Sequence, residues 1–124
     1  MSGVWHHPLV ATIGLMALDR DLARVLWDAL EDEGHTPIWI TFGPDAVRLV
    51  AQEVPDVLVF DGHEYVNTKR FLEDLRRHPK TAGVPVVVLG PAHPKEVPQY
   101  PGVVKLGQRY DLHQVIEAVQ RVLG

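Results

Sequence analysis

The segment NTKRFLEDLRRHPKTAGVPVVVLG, residues 67–90, decides the fold because its hydrophobic period changes halfway along. Its first part begins at a typical N-cap residue, Asn67, and stops at Pro79, which cannot continue a helix. Between them runs an apolar helical stripe formed by Phe71, Leu72 and Leu75. Its second part, 85–90, is a continuous apolar run typical of a strand covered on both faces. A helix followed by a buried strand predicts an α/β protein.

The same alternation extends in both directions from this segment. Further apolar runs predict strands at 9–16, 36–42, 56–60 and 103–106. Amphipathic stretches predict helices at 19–35, at 43–54, with Pro44 in the first helical position, and from Asp111 onward, with Gln114 completing a capping box. Strands that alternate with helices are parallel and joined by helical crossovers, so we expect one five-stranded α/β domain over residues 1–124.

Two segments depart from this pattern. Residues 1–8 precede the first strand and are interpreted as an N-terminal arm. Residues 90–102, GPAHPKEVPQYPG, contain four prolines and no amphipathic period. We therefore expect a Pro-rich loop there, with the crossover helix between the fourth and fifth strands missing or vestigial.

Composition excludes several classes of function. The chain has 124 residues and a net charge of −4, which argues against a nucleic-acid surface. It has no Cys, so disulfides, thiolate catalysis and cysteine-ligated metals are excluded. The apolar run Leu9–Leu18 is too short to span a bilayer and lacks a preceding Lys/Arg cluster, so we expect neither a membrane segment nor export. These features favour a cytoplasmic protein.

Two charged residues lie where strands end. Asp61 closes the third predicted strand and Lys105 lies near the end of the fifth. In parallel α/β sheets the carboxyl ends of the strands form one edge, where ligands bind. An Asp at the tip of a buried strand is costly unless something compensates for its desolvation. The two residues predict either a structural ion pair or part of a phosphoryl-transfer site.

Four stretches resemble the receiver domain of response regulators: DLARVLWDALEDEGH, PDVLVFDGHEY, RFLEDLRRHPKTAGVPVVVLG and VVKLGQRYDLHQVIEAV. Together they extend the resemblance over roughly residues 9–124, and the third stretch follows the family pattern most closely. The resemblance implies a flavodoxin-like, doubly wound sheet with strand order 2-1-3-4-5. It also implies that Asp61 is the phospho-acceptor candidate and that Lys105 contacts the phosphate.

The sequence departs from the family at several functional positions. Receiver domains carry two acidic residues after the first strand that hold Mg²⁺, and these positions are Ala17 and Leu18 here. The hydroxyl residue that ends the fourth strand is replaced by Gly90, and the Pro after the lysine by Leu106. A carboxylate that attacks phosphorus needs a cation to neutralise the developing charge. The resemblance is therefore to an atypical or degenerate member.

Other candidate ligands have simpler interpretations. Asp19 and Asp21 are weak metal candidates, and the preferred explanation is that they are first-turn carboxylates that favour the helix macrodipole. His63 and Glu64 lie close to Asp61, but neighbouring ligands without a distant partner make a poor metal site. The remaining histidines, His35 among them, fall near loops and helix ends and are expected to be solvated. The aromatic residues Trp27 and Trp39 are expected in or near the core.

These observations predict a two-component-type signalling protein that is not an enzyme and needs no cofactor. We expect a phosphorylation-independent interaction module in which Asp61 pairs with Lys105. The alternative is a stand-alone response regulator phosphorylated on Asp61 by a histidine kinase with Mg²⁺. Expected partners are proteins, either a histidine kinase or an effector. A homodimer is also expected, formed through the fifth strand, the last helix and the loop 90–102.

Overall fold

The computed structural model describes residues 10–62, 67–90, 102–107 and 109–124. Its elements follow in the order β1 (Thr12–Met16), α1 (Arg20–Asp32), β2 (Thr36–Trp39), α2 (Ala46–Glu53), β3 (Val57–Asp61), α3 (Thr68–Arg77), β4 (Val86–Leu89), β5 (Val103–Lys105) and α4 (Leu112–Leu123). The predicted arm 1–8 lies outside the described residues, as does nearly all of the predicted loop 90–102.

The five strands form a single parallel sheet in the order β2-β1-β3-β4-β5, which confirms the predicted flavodoxin-like arrangement. Helices cover both faces of the sheet. One apolar core lies under α1 and α4 and contains Leu26, Leu30, Val115 and Val119. The other lies under α2 and α3 and contains Val50, Leu72 and Leu75. The central strand β3 is buried along its whole length, because it feeds alternate side chains into the two cores.

The helix ends show why the predicted boundaries are accurate in most places. The Asp111 side chain accepts from the Gln114 backbone N–H at 2.8 Å, and the Gln114 side chain accepts from the Asp111 N–H at 2.9 Å. Asn67 accepts from the Arg70 N–H at 3.0 Å, as expected of an N-cap. The predicted start of α2 at Pro44 is wrong by two residues, since Asp45 is the N-cap and the helix begins at Ala46.

Two sequence-based expectations about burial are corrected. His35 is only 4% exposed, and its Nδ1 accepts from the Ala11 backbone N–H at 3.1 Å, so it belongs to the interior. Trp39, expected in or near the core, is 51% exposed. Trp39 lies on the edge strand β2, whose outer side has no neighbouring strand to cover it. None of the described helices is long and apolar enough to cross a membrane.

Candidate functional site

The candidate site lies at the carboxyl ends of β1, β3 and β4. Asp61 is the last residue of β3 and is only 7% exposed. Met16 pairs with Phe60 in the sheet register, so residue 17 emerges beside Asp61. On the other side Asp61 pairs with Leu89, so Gly90 is the next residue along. The strand ends therefore place two predicted site positions, Ala17 and Gly90, next to Asp61.

The backbone of Gly90 lies close to the Asp61 carboxylate and leaves little room for a side chain. Its φ is +86°, a conformation that side chains rarely adopt, and a Cβ added there would lie 3.1 Å from Asp61 Oδ1. The neighbouring backbone is fixed, since the Gly62 N–H donates to the Leu89 carbonyl at 2.7 Å. A hydroxyl residue at this position would press against the carboxylate with a strained backbone. The close approach of the Gly90 backbone to the Asp61 carboxylate thus depends on the absence of a side chain at residue 90.

Asp19 is committed to the start of α1. Its Oδ1 accepts from the backbone N–H groups of Asp21 and Leu22, at 2.9 and 3.1 Å. This is the N-cap geometry, which satisfies donors that a helix otherwise leaves unpaired. Asp21 lies in the first turn and is exposed, where a negative charge favours the helix macrodipole. Both residues therefore have structural roles at the helix start.

Tyr110 joins the site from the loop between β5 and α4, and sequence reasoning missed it. It is half-buried and packs against the core under α1 and α4. Burial raises the pKa of the Tyr110 phenol above its ordinary value of 10.0, and the nearby carboxylates of Asp61 and Asp19 raise it further. The only sequence signal was an aromatic residue directly before the N-cap Asp111, which by itself does not indicate a site.

Lys105 lies at the same edge of the sheet but not level with Asp61. It pairs with Val88, which is level with Phe60, and it is exposed. In the described parts of the chain, the carboxylate pairs with Lys or Arg within 4.0 Å that the structure defines lie on α3 and at the start of α2. The Asp61–Lys105 pair stays a prediction, and Asp61 has an interaction partner.

The residues that the structure describes around Asp61 do not supply the ligand set of a bound Mg²⁺ ion. Mg²⁺ takes oxygen ligands, chiefly carboxylates and water, in strict octahedral geometry. The two positions after β1 are the half-buried Ala17 and the 48% exposed Leu18, which offer no side-chain oxygen. Among the described residues no group of three His, Asp or Glu side chains could hold a metal. His63 and Glu64 lie outside the described residues.

Comparison with known proteins gives a consistent result for the fold. No family model matches the sequence, and no curated protein is similar enough to count as a relative. Chemotaxis response regulator CheY4 of Vibrio cholerae superimposes with a TM-score of 0.78, covering 91% of this chain and 98% of that chain at 16% identity. The N-terminal domain of a response regulator receiver protein from Methanoculleus marisnigri JR1 gives 0.66, with 92% and 97% coverage at 25% identity. The pseudo-receiver domain of the CikA protein gives 0.64, with 92% and 98% coverage at 22% identity.

The chain has the fold of a response-regulator receiver domain. The strand order, the helix placement and the nearly complete coverage of both chains agree. Within this receiver-like domain, Asp61 occupies the end of β3, where the family resemblance implies the phospho-acceptor. The positions implied for the Mg²⁺-binding acids and the β4 hydroxyl are Ala17, Leu18 and Gly90. The chain thus has the receiver fold, with Ala17 and Gly90 beside the aspartate that ends β3.

A titration experiment can test the proximity of Tyr110 to Asp61. We expect Asp61→Asn to move the pKa of Tyr110 back toward 10.0, because it removes one of the two carboxylates that raise it. The ultraviolet absorbance of tyrosinate measures this pKa, and Tyr110→Phe identifies its step among those of the other tyrosines. Asp45→Asn, which changes an exposed carboxylate at the start of α2, is the matched control. An unchanged Tyr110 pKa in Asp61→Asn would contradict the placement.

The raised pKa also has a consequence for stability. Because the folded state holds the Tyr110 proton more tightly than the unfolded chain, its contribution is complete below pH 10.0 and is lost as the pH rises through the folded-state pKa. Urea unfolding at increasing alkaline pH should therefore show a steeper loss of stability in the wild type than in Tyr110→Phe. Equal losses would indicate that Tyr110 titrates normally.

Proposed function

We propose that this receiver-like domain is a cytoplasmic two-component-type signalling protein that acts as a protein-interaction module without phosphorylation of Asp61. It is not an enzyme on this proposal, and it needs no cofactor. The receiver fold supports the general assignment to signalling, because its structural neighbours include response regulators. The fold by itself does not determine the mode of action, which depends on the site.

One observation supports the proposal. The positions beside Asp61 where the resemblance implies Mg²⁺-binding acids carry apolar side chains. Phosphoryl transfer to a carboxylate brings negative charges together, and a bound divalent cation normally neutralises them. Here Ala17 stands beside Asp61 in the sheet register, and Leu18 follows it. Asp19, which directly follows Leu18, is not free to replace these acids, because its carboxylate already caps α1. The site therefore favours a structural use of Asp61 over acyl-phosphate formation.

The proposed partner surface consists of β5, α4 and the loop 90–102. β5 is an edge strand, and its described residues are half-buried or exposed, whereas those of β4 are fully buried. The exposed side of α4 carries Leu112, which is 37% exposed, and a side-chain contact between His113 Nε2 and Glu117 Oε1 at 2.9 Å. A surface with both apolar and charged groups suits a protein partner, here a histidine kinase or an effector. A second copy of the chain is another occupant of this face.

Intact-mass spectrometry after incubation with acetyl phosphate and Mg²⁺ tests the proposal. We expect the wild-type mass to remain unchanged, because the developing phosphoryl charge has no cation to neutralise it. Asp61→Asn is the control, and a conventional receiver domain treated in parallel shows that the donor is active. A phosphoryl adduct on the wild type that is missing from Asp61→Asn would overturn the proposal. It would instead establish a response regulator phosphorylated on Asp61 with Mg²⁺.

A further inference from the structure

Helix α1 carries a charge pattern that reverses along one stripe. Arg20 and Arg24 lie at the start of this stripe, Trp27 at its centre, and Asp28 and Glu31 toward its end. These positions are spaced by four, three, one and three residues, so they share one face of the helix. Apart from the half-buried Trp27, all of them are exposed. The stripe is therefore basic at one end, aromatic in the middle and acidic at the other end.

The order of charges along this stripe is unfavourable for the macrodipole of α1. Basic residues at a helix start and acidic residues at its end oppose the macrodipole. α1 has no basic residue in its last turn, and Asp21 is the acidic residue in its first. Among the described residues none of the ion pairs involves a residue of α1, whereas α3 carries several, such as Lys69–Glu73 and Arg70–Asp74. The charged residues of the stripe thus have no ion-pair partner within 4.0 Å among the described residues.

The stripe borders an apolar groove between α1 and the edge strand β2. The groove has a volume of about 820 Å³ and is lined by the stripe residues up to Asp28 together with Leu18 and Trp39. The rings of Trp27 and Trp39 stack with centroids 4.9 Å apart. Trp39 is 51% exposed and Leu18 is 48% exposed. An exposed aromatic and apolar patch rimmed by charge is typical of an interaction site.

The edge strand beside this groove is poorly suited to adding a further strand. The Thr36 and Ile40 N–H groups donate to Ala11 and Leu15 of the β1 side, at 2.9 and 3.1 Å. Pro37 and Trp39 therefore direct their backbone groups away from β1. Pro37 has no N–H that could bond to a further strand. A partner on this side has to be recognised by side chains.

We infer that a second copy of this chain binds to the α1–β2 surface, defined as the α1 stripe together with Leu18 and Trp39. If the two α1 helices cross antiparallel about a two-fold axis level with residues 25 and 26, beside Trp27, Arg24 of each copy lies opposite Asp28 of the other. Arg20 then lies opposite Glu31 of the other copy. A stripe that reverses its charge about its centre is complementary to itself in this arrangement, as a two-fold interface requires. The pairing leaves β5 and α4 free and does not depend on the proposed function.

Sedimentation velocity over a range of protein concentrations tests this inference. We expect the wild type to form a salt-sensitive dimer, and Arg24→Glu and Asp28→Arg each to weaken it roughly tenfold or more, since like charges then face each other twice. An equimolar mixture of the two variants should dimerise again. In the mixed dimer the introduced glutamate of one chain faces the introduced arginine of the other, and the native Asp28 and Arg24 face each other at the second contact. Trp39→Ala should also weaken the dimer by removing the exposed half of the ring stack.

Arg121→Glu, an exposed reversal on α4, is the matched control and should leave the dimer intact. Thermal melts of every variant show that it is folded. A wild type that stays monomeric at all concentrations would overturn the inference and leave the groove to a different occupant. So would a dimer that only Arg121→Glu dissociates, because that result places the interface on the α4 side. Failure of the two single variants to associate when mixed would contradict the two-fold charge pairing.

Discussion

Gly90→Thr is expected to lower the free energy of unfolding by about 2–3 kcal/mol, although it restores the hydroxyl that receiver domains carry at this position. A β-branched residue at φ +86° is strained. Its Cβ would also lie 3.1 Å from Asp61 Oδ1, so the carboxylate has to shift or lose solvation. Urea unfolding followed by circular dichroism measures the change.

Gly83→Thr is the matched control for this substitution. Gly83 does not have a left-handed φ, and no neighbouring atom lies within 4 Å of an added Cβ, so we expect a loss of about 1 kcal/mol or less. The double variant Gly90→Thr/Asp61→Ala should recover part of the Gly90→Thr loss, because the carboxylate contact is gone. Equal losses at both glycines would show that Gly90 is not specially adapted to Asp61.

We expect Ala17→Asp/Leu18→Asp to create a Mg²⁺ site of roughly millimolar affinity, and we expect the wild type to show no such binding. Residue 17 emerges beside Asp61 in the β1–β3 register, so the substitution places new carboxylate oxygens next to an existing one. Three carboxylates at one sheet edge provide the charge and the oxygen ligands that Mg²⁺ requires. Isothermal titration calorimetry with MgCl₂ measures the affinity.

The added carboxylates should also repel one another before the ion binds. We therefore expect the double variant to melt below the wild type without Mg²⁺ and to recover on its addition, since a ligand that binds only the folded state stabilises it. Asp61→Asn in the same background should abolish the recovery. If Mg²⁺ stabilises the double variant no more than the wild type, the missing acids are not what prevents cation binding.

The fold could be predicted from the sequence because the features that determine it are local. Each strand of the sheet is a short apolar run, and each helix between strands has its own amphipathic period. N-caps such as Asn67 and Asp111 are recognisable because the capping residue and its partner lie within three positions. The strand order came from the resemblance to receiver domains, which the structure confirms.

The details of the site could not be predicted, because they depend on contacts between distant segments. Tyr110 comes near Asp61 and Asp19 only because the end of β3, the start of α1 and residue 110 lie at one edge of the sheet. The positive φ of Gly90 follows from the path of the chain and not from residue type. His35 was expected to be solvated, but it is buried and accepts a hydrogen bond from Ala11, twenty-four positions away.

The proposed function requires that this receiver-like domain has no binding site for the cation that phosphorylation of Asp61 would need. An NMR titration of the wild-type chain with MgCl₂ tests it most directly, through the backbone amides of Asp19, Asp61, Gly90 and Tyr110. We expect small, non-saturating shifts that are the same in Asp61→Asn, since among the described residues no cluster of acids could hold the ion. Saturable shifts at these residues that disappear in Asp61→Asn would show that Mg²⁺ binds beside the carboxylate and would contradict the claim.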